Sequence, residues 1–353
     1  MRATQAVIDL KKLKNNAQYL QKKAQGREMM GIIKADAYGH GVIPAMEALL
    51  SLGWKYFGVA TIEEALELRE ANREADILIL GTTSPEDFPL CVEKGISFAV
   101  HDRESLDVAL TLEGPAKIHI KVDSGMHRIG FSPEELFALR ESVAAINPTG
   151  IYTHLARADE EDKSSALAQV SLFKKVVDEL KEEGLRFEWV HFANSAAILE
   201  LDLSFSNMVR AGVALYGLSP GKLHPQLQPV MCWQSRILAV RDIEAGEGVS
   251  YGHRFVAESP RRIATVPIGY ADGYKRQMSG RIAAWIDGTE CPQLGRITMD
   301  QVIFDITDTQ AKVGDEVELM GEHIPCDRLA EAADTINYEI VTTLGKRVRK
   351  VFL

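Results

Sequence analysis

A lysine stands at the end of a short apolar run. The stretch Ile32-Ile33-Lys34-Ala35-Asp36-Ala37-Tyr38-Gly39-His40-Gly41 places a tyrosine, a histidine and two glycines directly behind Lys34. A lysine where a buried strand meets its loop is either a snorkelling surface charge or a desolvated amine. Desolvation disfavours the ammonium form, lowers the pKa and frees a lone pair for imine chemistry. The snorkelling reading explains one lysine but leaves Tyr38, His40, Gly39 and Gly41 without a reason.

Other residues of chemical type are embedded in apolar surroundings. Lys117-Ile118-His119-Ile120-Lys121-Val122-Asp123 alternates strictly, so His119, Lys121 and Asp123 share a face opposite Ile118, Ile120 and Val122. Unpaired charge on a buried face is costly, and the plain reading pairs Lys121 with a carboxylate. Arg210 lies inside Val209-Arg210-Ala211-Gly212-Val213, where the plain reading is a buried ion pair. Asn194 and Ser195 precede an alanine-rich run, an N-cap signature. His154 follows Tyr152-Thr153 as a lone histidine, a type more often a satisfied core residue than a catalyst.

The elements that must position these residues follow from periodicity. Strand-length apolar runs are expected at 29–34, 56–60, 77–80, 97–100, 118–122, 150–154, 189–192 and 209–216. Amphipathic helical segments such as 62–74, 103–112, 134–146 and 164–183 lie between them, after a first helix at 9–23. Eight alternations predict an α/β fold, a closed N-terminal (β/α)8 TIM-like barrel, with its active site at the C-terminal ends of the strands. On that frame Ser195, Gly212 and Val213 sit after the seventh and eighth strands, where phosphate sites recur in this fold, and Tyr38 is expected to help. Beyond Tyr216, turn-rich sequence leads into period-two alternation, with an Asp287-Gly288 hairpin turn and one late helix at 328–333. The expected division is a barrel over 1–220 and a mostly β C-terminal domain over 221–353, with the first few residues free to join the latter.

Composition excludes several classes. A chain of 353 residues with a net charge of -10 and no basic block is a poor candidate for nucleic acid or an anionic membrane. No apolar run spans a bilayer, and the N-terminus lacks a signal-peptide core, so a cytoplasmic location is expected. Four cysteines without metal-ligand spacing imply reduced thiols and no metal site.

The Lys34 segment resembles the cofactor-lysine motif of the alanine racemases, pyridoxal-phosphate enzymes of fold type III. Further likenesses run in order along both domains: Lys121-Val122-Asp123-Ser124-Gly125-Met126-His127-Arg128, the stretch from His154, Gly248-Val249-Ser250-Tyr251-Gly252-His253, Ile268-Gly269-Tyr270-Ala271-Asp272-Gly273-Tyr274 and Gly295-Arg296-Ile297-Thr298-Met299-Asp300-Gln301. The resemblance implies interconversion of L- and D-alanine by two bases, Lys34 on one face of Cα and Tyr251 on the other. It implies pyridoxal 5'-phosphate held by Lys34, Tyr38, Arg128, His154, Asn194, Ser195, Arg210, Gly212 and Val213. His191 would orient Arg210 at the pyridine nitrogen. Lys121 would be carbamylated and hold Arg128, which also orients substrate together with Tyr270, Met299 and Asp300. Tyr251, Tyr270, Met299 and Asp300 would come from the other subunit of a head-to-tail homodimer, so a monomer would lack its second base. The expected role is supply of D-alanine for peptidoglycan.

One departure stands near the C-terminus. Family members often carry a tyrosine shortly before the terminal Arg-Val stretch, whereas this chain reads Leu344-Gly345-Lys346-Arg347-Val348-Arg349. That puts substrate entry and range in question. Three readings stay open beside alanine racemisation: a racemase of serine or of a broader set of amino acids, a silent cofactor carrier, and a decarboxylase of the same architecture. Carriers of this type lack the β domain and Tyr251, and the decarboxylases place an acid where Arg210 stands.

Overall fold

The computed structural model describes residues 3–353, and they divide into two compact units. One comprises Leu13–Ala37 and Val42–Gln228; the other comprises the N-terminal residues through Lys12, Tyr38–Gly41 and Pro229–Leu353.

A short first strand, β1 (Gln5–Ile8), belongs to the second unit. The barrel unit is built on β2 (Glu28–Ile32), β3 (Tyr56–Val59), β4 (Asp76–Ile79), β5 (Ser97–Val100), β6 (Ile118–Lys121), β7 (Gly150–Tyr152), β8 (Trp189–His191) and β9 (Met208–Ala211). All pair in parallel in the order β8-β7-β6-β5-β4-β3-β2-β9. Between β8 and β9 single bonds replace a ladder: Asn207 N donates to Val190 O at 3.1 Å and Arg210 N donates to Ala193 O at 2.9 Å. The ring is thus nearly closed. Strands buried on both faces explain the runs Met29–Ile33 and Ile77–Ile79, which show no polar alternation.

Connecting helices follow the expected segments. Thr61 caps Ile62–Ala71, and Asp102 and Ser132 close capping boxes on Arg103–Ala109 and Pro133–Ala138. Three expectations change in detail. The segment 134–146 is two short helices, broken at Leu139. The eighth strand stops at Ala211, and Val213–Tyr216 is a 3-10 turn. Lys34 lies two residues beyond its strand, at the C-terminal end.

The second unit is a nine-stranded sheet in the order β11-β14-β17-β16-β15-β18-β10-β1-β19. Its further strands are β10 (Met231–Arg236), β11 (Ala239–Ile243), β14 (Arg261–Val266), β15 (Ala283–Ile286), β16 (Thr289–Leu294), β17 (Val302–Asp305), β18 (Glu316–Met320) and β19 (Arg349–Phe352), with a separate pair β12 (Gly248–Val249) and β13 (Phe255–Val256). β1 pairs antiparallel with β10 and parallel with β19. Asp287-Gly288 makes the hairpin between β15 and β16, both residues in the left-handed region that this tight turn requires. Two short helices, Cys326–Ala332 and Asn337–Thr342, close the unit. No helix among the described residues is long and apolar enough to cross a membrane, and none of their His, Cys, Asp and Glu side chains form a metal-type cluster.

Candidate active site

Lys34 opens a turn that the sequence did not announce. Ala35, Asp36 and Ala37 have φ and ψ both near +50°, and Tyr38 continues at φ 53°. Four consecutive side-chain-bearing residues are therefore left-handed, at a cost of roughly 1–2 kcal/mol each. Local bonds hold this conformation. Ala37 N donates to Ile33 O at 2.9 Å. The carboxylate of Glu64 accepts Ala35 N and Ala60 N, each at 2.7 Å, and Asp36 Oδ1 accepts Val42 N at 2.8 Å. From below, the Tyr216 hydroxyl donates to Ile32 O at 2.8 Å. The Lys34 side chain projects into the open mouth rather than being enclosed. Surrounding protein still lowers its pKa, Arg128 lowers it further and Glu64 opposes both.

The inward face of β6 is as its alternation implies for two of three residues. His119 and Lys121 are buried inside the barrel. Asp123 is not directed inward: its Oδ1 accepts the N–H groups of Gly125, Met126 and His127 at 2.9–3.1 Å and shapes the loop leading to Arg128. Among the described residues no carboxylate pairs with Lys121, so the ion-pair expectation fails. Its Nζ lies 4.6 Å from the centre of the Tyr152 ring. Burial, Arg210 and Arg128 drive the Lys121 pKa well below the ordinary lysine range. Arg128 itself is exposed at the mouth.

Arg210 is buried, and among the described residues its hydrogen-bond partners include no carboxylate. Nη1 donates to His191 Nδ1 at 2.9 Å. Nη2 donates to Thr153 O at 2.9 Å, Phe192 O at 3.1 Å and His154 Nδ1 at 3.1 Å. A charged guanidinium thus rests on neutral acceptors. Burial lowers its pKa to about 10, which leaves it cationic at neutral pH. Both His191 and His154 are pushed well below the ordinary imidazole pKa, first by burial and then by Arg210. Both rings therefore disfavour the imidazolium form. Tyr152, which the sequence reading passed over, lies flat against His191 at 4.9 Å and donates its hydroxyl to Leu80 O at 2.9 Å. Its signal was an aromatic residue in register with Lys121 and His191 on neighbouring strands.

Asn194 and Ser195 divide their work. Asn194 is the N-cap of Ser195–Glu200, its side chain accepting Ala197 N at 3.1 Å, so its oxygen is engaged in the fold. Ser195 Oγ accepts Gly212 N at 3.0 Å and Ala214 N at 3.3 Å, joining the loops after β8 and β9. Its hydroxyl hydrogen and the Val213 N–H are left as donors.

In the second unit Tyr38 stands beside Tyr338, ring centres 6.3 Å apart, and burial raises the Tyr38 pKa to about 12. Gly39 behind it is at φ +79°, and a Cβ there would lie 2.1 Å from Val341 O. Tyr338 also escaped the sequence reading, which sought a tyrosine at 344–349. Tyr251, Tyr270 and Met299 are 72%, 42% and 51% exposed, large hydrophobics projecting from this unit. Ser250 Oγ donates to Arg296 O at 2.7 Å, and Tyr270 N donates to Thr298 O at 3.0 Å, which ties the three motifs together. Arg347 bridges the buried Asp272 and the exposed Asp300, Nε donating to Asp272 at 3.1 Å and Nη1 to Asp300 at 2.8 Å.

Residues 8–220 match the family model for the alanine racemase N-terminal domain, and 230–352 match that for the C-terminal domain. The chain belongs to the alanine racemase family. Curated family members include an alanine racemase of Desulfovibrio desulfuricans, 40% identical over 99% of this chain and 97% of its own. Among solved structures, Bacillus anthracis alanine racemase with bound L-Ala-P superposes with a TM-score of 0.93 at 34% identity, covering 100% of this chain and 95% of its own. The Bartonella henselae alanine racemase, with covalently bound pyridoxal phosphate, gives 0.94 at 32% identity over 100% of both chains. Membership of this family makes the protein an isomerase and accounts for both units, the barrel and the mostly β one.

Proposed function

We propose that this protein racemises alanine with pyridoxal 5'-phosphate as cofactor, using Lys34 and, from a second copy of the chain in a head-to-tail homodimer, Tyr251. The observation that carries the reading is Arg210, a buried cation held by neutral partners, whose Nε–H meets no acceptor among the described residues. A pyridine nitrogen is a fitting acceptor for it. The donors left at Ser195 and Val213 suit a phosphate, with Gly212 sharing in its hold and Tyr38 proposed to help on the family resemblance. Lys34 would attach the group, and His154, Asn194 and Arg128 would line it.

Pyridoxal phosphate, when bound, supplies a sink for the electron pair left at Cα. The protein's residues decide where that pair goes. An arginine does not hand over its proton, so Arg210 leaves the ring nitrogen unprotonated and the pair concentrated at Cα. Return of a proton to Cα is then favoured over transamination. Lys34 moves the proton on one face, helped by its lowered pKa, and Tyr251 moves it on the other, taking it from L-alanine. The exposure of Tyr251, Tyr270 and Met299 supports their delivery to another subunit, with Met299, Asp300, Tyr270 and Arg128 contacting substrate.

Lys121 fits carbamylation. A neutral buried amine attacks carbon dioxide, the N–C bond forms, and the released proton leaves to solvent. The carbamate so formed would be an anion facing Arg128. Cytoplasmic supply of D-alanine for peptidoglycan completes the proposal on family membership alone.

The test is polarimetry. Purified protein with pyridoxal phosphate should bring an L-alanine solution to zero rotation. Serine, lysine and arginine in the same assay read the range, and a flat trace with alanine but decay with one of these would transfer the assignment to that amino acid.

A further inference from the structure

His119 has no part in the chemistry above, yet its ring is placed with care. Its Nδ1 lies 3.0 Å from His191 Nε2, and His191 Nδ1 lies 2.9 Å from Arg210 Nη1. A guanidinium has donors only, so the direction of the whole chain is forced. Arg210 donates to His191 Nδ1. A neutral His191 must then carry its proton on Nε2 and donate it to His119 Nδ1. His119 in turn carries its proton on Nε2.

Three further observations fix this arrangement. Burial, with the Arg210 charge, pushes His119 down to about 3 and His191 well below its ordinary value, so neither ring gains a second proton near neutrality. The two rings meet edge to face at 5.2 Å, and Tyr152 stacks on His191 within 3° of parallel. Opposite His119 in the β6–β7 register is Gly150, where a Cβ would fall 2.4 Å from the His119 Nδ1. Only a residue without a side chain leaves that nitrogen room to accept.

The far side of His119 opens on a cavity lined by Tyr56, Asp76, Lys117, Thr149 and Glu188 as well as His119 itself. Tyr56 and Asp76 begin their strands, so the cavity lies at the N-terminal end of the barrel, opposite Lys34. Water there can accept the His119 Nε2–H without entering the reaction mouth.

We propose that His119 is a positioning residue for racemisation: by accepting from His191 it fixes the proton of that ring on Nε2, which keeps Nδ1 bare to receive Arg210 and aims the arginine's Nε–H at the cofactor nitrogen. The inference rests on the proposed assignment of Arg210.

The first measurement is long-range 15N–1H correlation on histidine-labelled holoenzyme. His119 and His191 should both be protonated on Nε2 only, throughout pH 6–8. A proton on His191 Nδ1 would overturn the proposal, whatever substrate the enzyme takes. The second compares His119→Phe with His119→Asn, whose amide oxygen can stand where Nδ1 stood. The phenylalanine variant should alter the absorption band of the bound cofactor and raise pyruvate formed per alanine racemised by about tenfold, the scale on which outer-sphere partners act. Asparagine should bring both back to within about threefold of the parent, because the acceptor is restored. Equal loss of kcat in both variants, with an unchanged spectrum and product ratio, would reduce His119 to packing. Should His119→Phe fail to fold, the spectrum of the parent and the asparagine variant still decide. Absence of alanine racemisation in the parent would sink the functional assignment but leave the proton positions readable.

Discussion

The carboxylate of Glu64 accepts the Ala35 N–H at 2.7 Å and so fastens the residue that follows Lys34. Its other oxygen takes Ala60 N, which ties the turn after β2 to the end of β3. Glu64→Ala removes two charge-assisted bonds and should cost about 2 kcal/mol in denaturant unfolding. It should also act on the lysine. The Glu64 charge raises the Lys34 pKa against burial and Arg128, so its loss lowers that pKa further. In cofactor-free protein the pH at which Lys34 starts to react with an acylating reagent should move down. An upward move would contradict the electrostatic role given to Glu64.

Ala35 is exposed and left-handed, which makes it a clean site for testing the backbone. Glycine there escapes the roughly 1–2 kcal/mol penalty of the left-handed region but loses about 0.5–1 kcal/mol to chain entropy. Ala35→Gly should therefore unfold no more easily than the parent. Ala35→Val should be destabilised by more than 1 kcal/mol, on the order of the penalty for a β-branched residue in this region. Paired thermal scans of the two variants give the comparison.

Tyr251→Phe removes the only ionisable atom of that side chain and leaves its bulk. Abstraction from L-alanine should stop while cofactor stays bound. In deuterated water the Cα proton of D-alanine should still exchange, because Lys34 serves that face. Equal loss of exchange from both isomers would count against two separate bases.

Arg210→Glu replaces a donor that keeps its proton with an acid that can share one. Slow transamination should follow, read as pyruvate accumulating with alanine. Its buried partners His191 and His154 would lose a donor, so cofactor affinity should be measured alongside. An unchanged side-product ratio would weaken the account of why an arginine occupies this position.

Carbamylation of Lys121 has its own readout. Labelled bicarbonate should give a carbamate carbon signal in the parent protein and none in Lys121→Met. Carbon dioxide depletion should raise KM for alanine more than it lowers kcat, since Arg128 would lose its counter-charge.

The alternation of apolar runs and helices made the barrel legible, because parallel strands buried on both faces read as unbroken apolar segments. Lys34 and Arg210 were visible for the opposite reason, as polar residues where an apolar run should continue, whereas His191 entered only through the family resemblance. The left-handed turn at 35–38 was not legible: alanine gives no sign of positive φ, and long-range bonds from Glu64 and the packing of Gly39 against Val341 impose it. Tyr338 was missed because a motif spacing was expected at Lys346, while the chain reaches Tyr38 from an earlier helix. Asp123 was misread because alternation ends where a strand becomes a loop, and three waiting N–H groups then outbid the barrel interior. The strands β1, β10, β16 and β19 were too short or too irregular in pattern to stand out.

β1 lies between β10 and β19, hydrogen-bonded to residues more than two hundred positions later in the chain. During synthesis its four residues leave the ribosome well before either neighbour and wait for both. At roughly 5–20 residues per second the wait for β10 is about ten to forty-five seconds, and the wait for β19 is longer still. Throughout that interval an apolar edge with Ala6 and Ile8 is unpaired, so the nascent chain is exposed to wrong partners at this strand for longer than at any strand paired with a near neighbour. A strand made early is thus sealed only by strands made late.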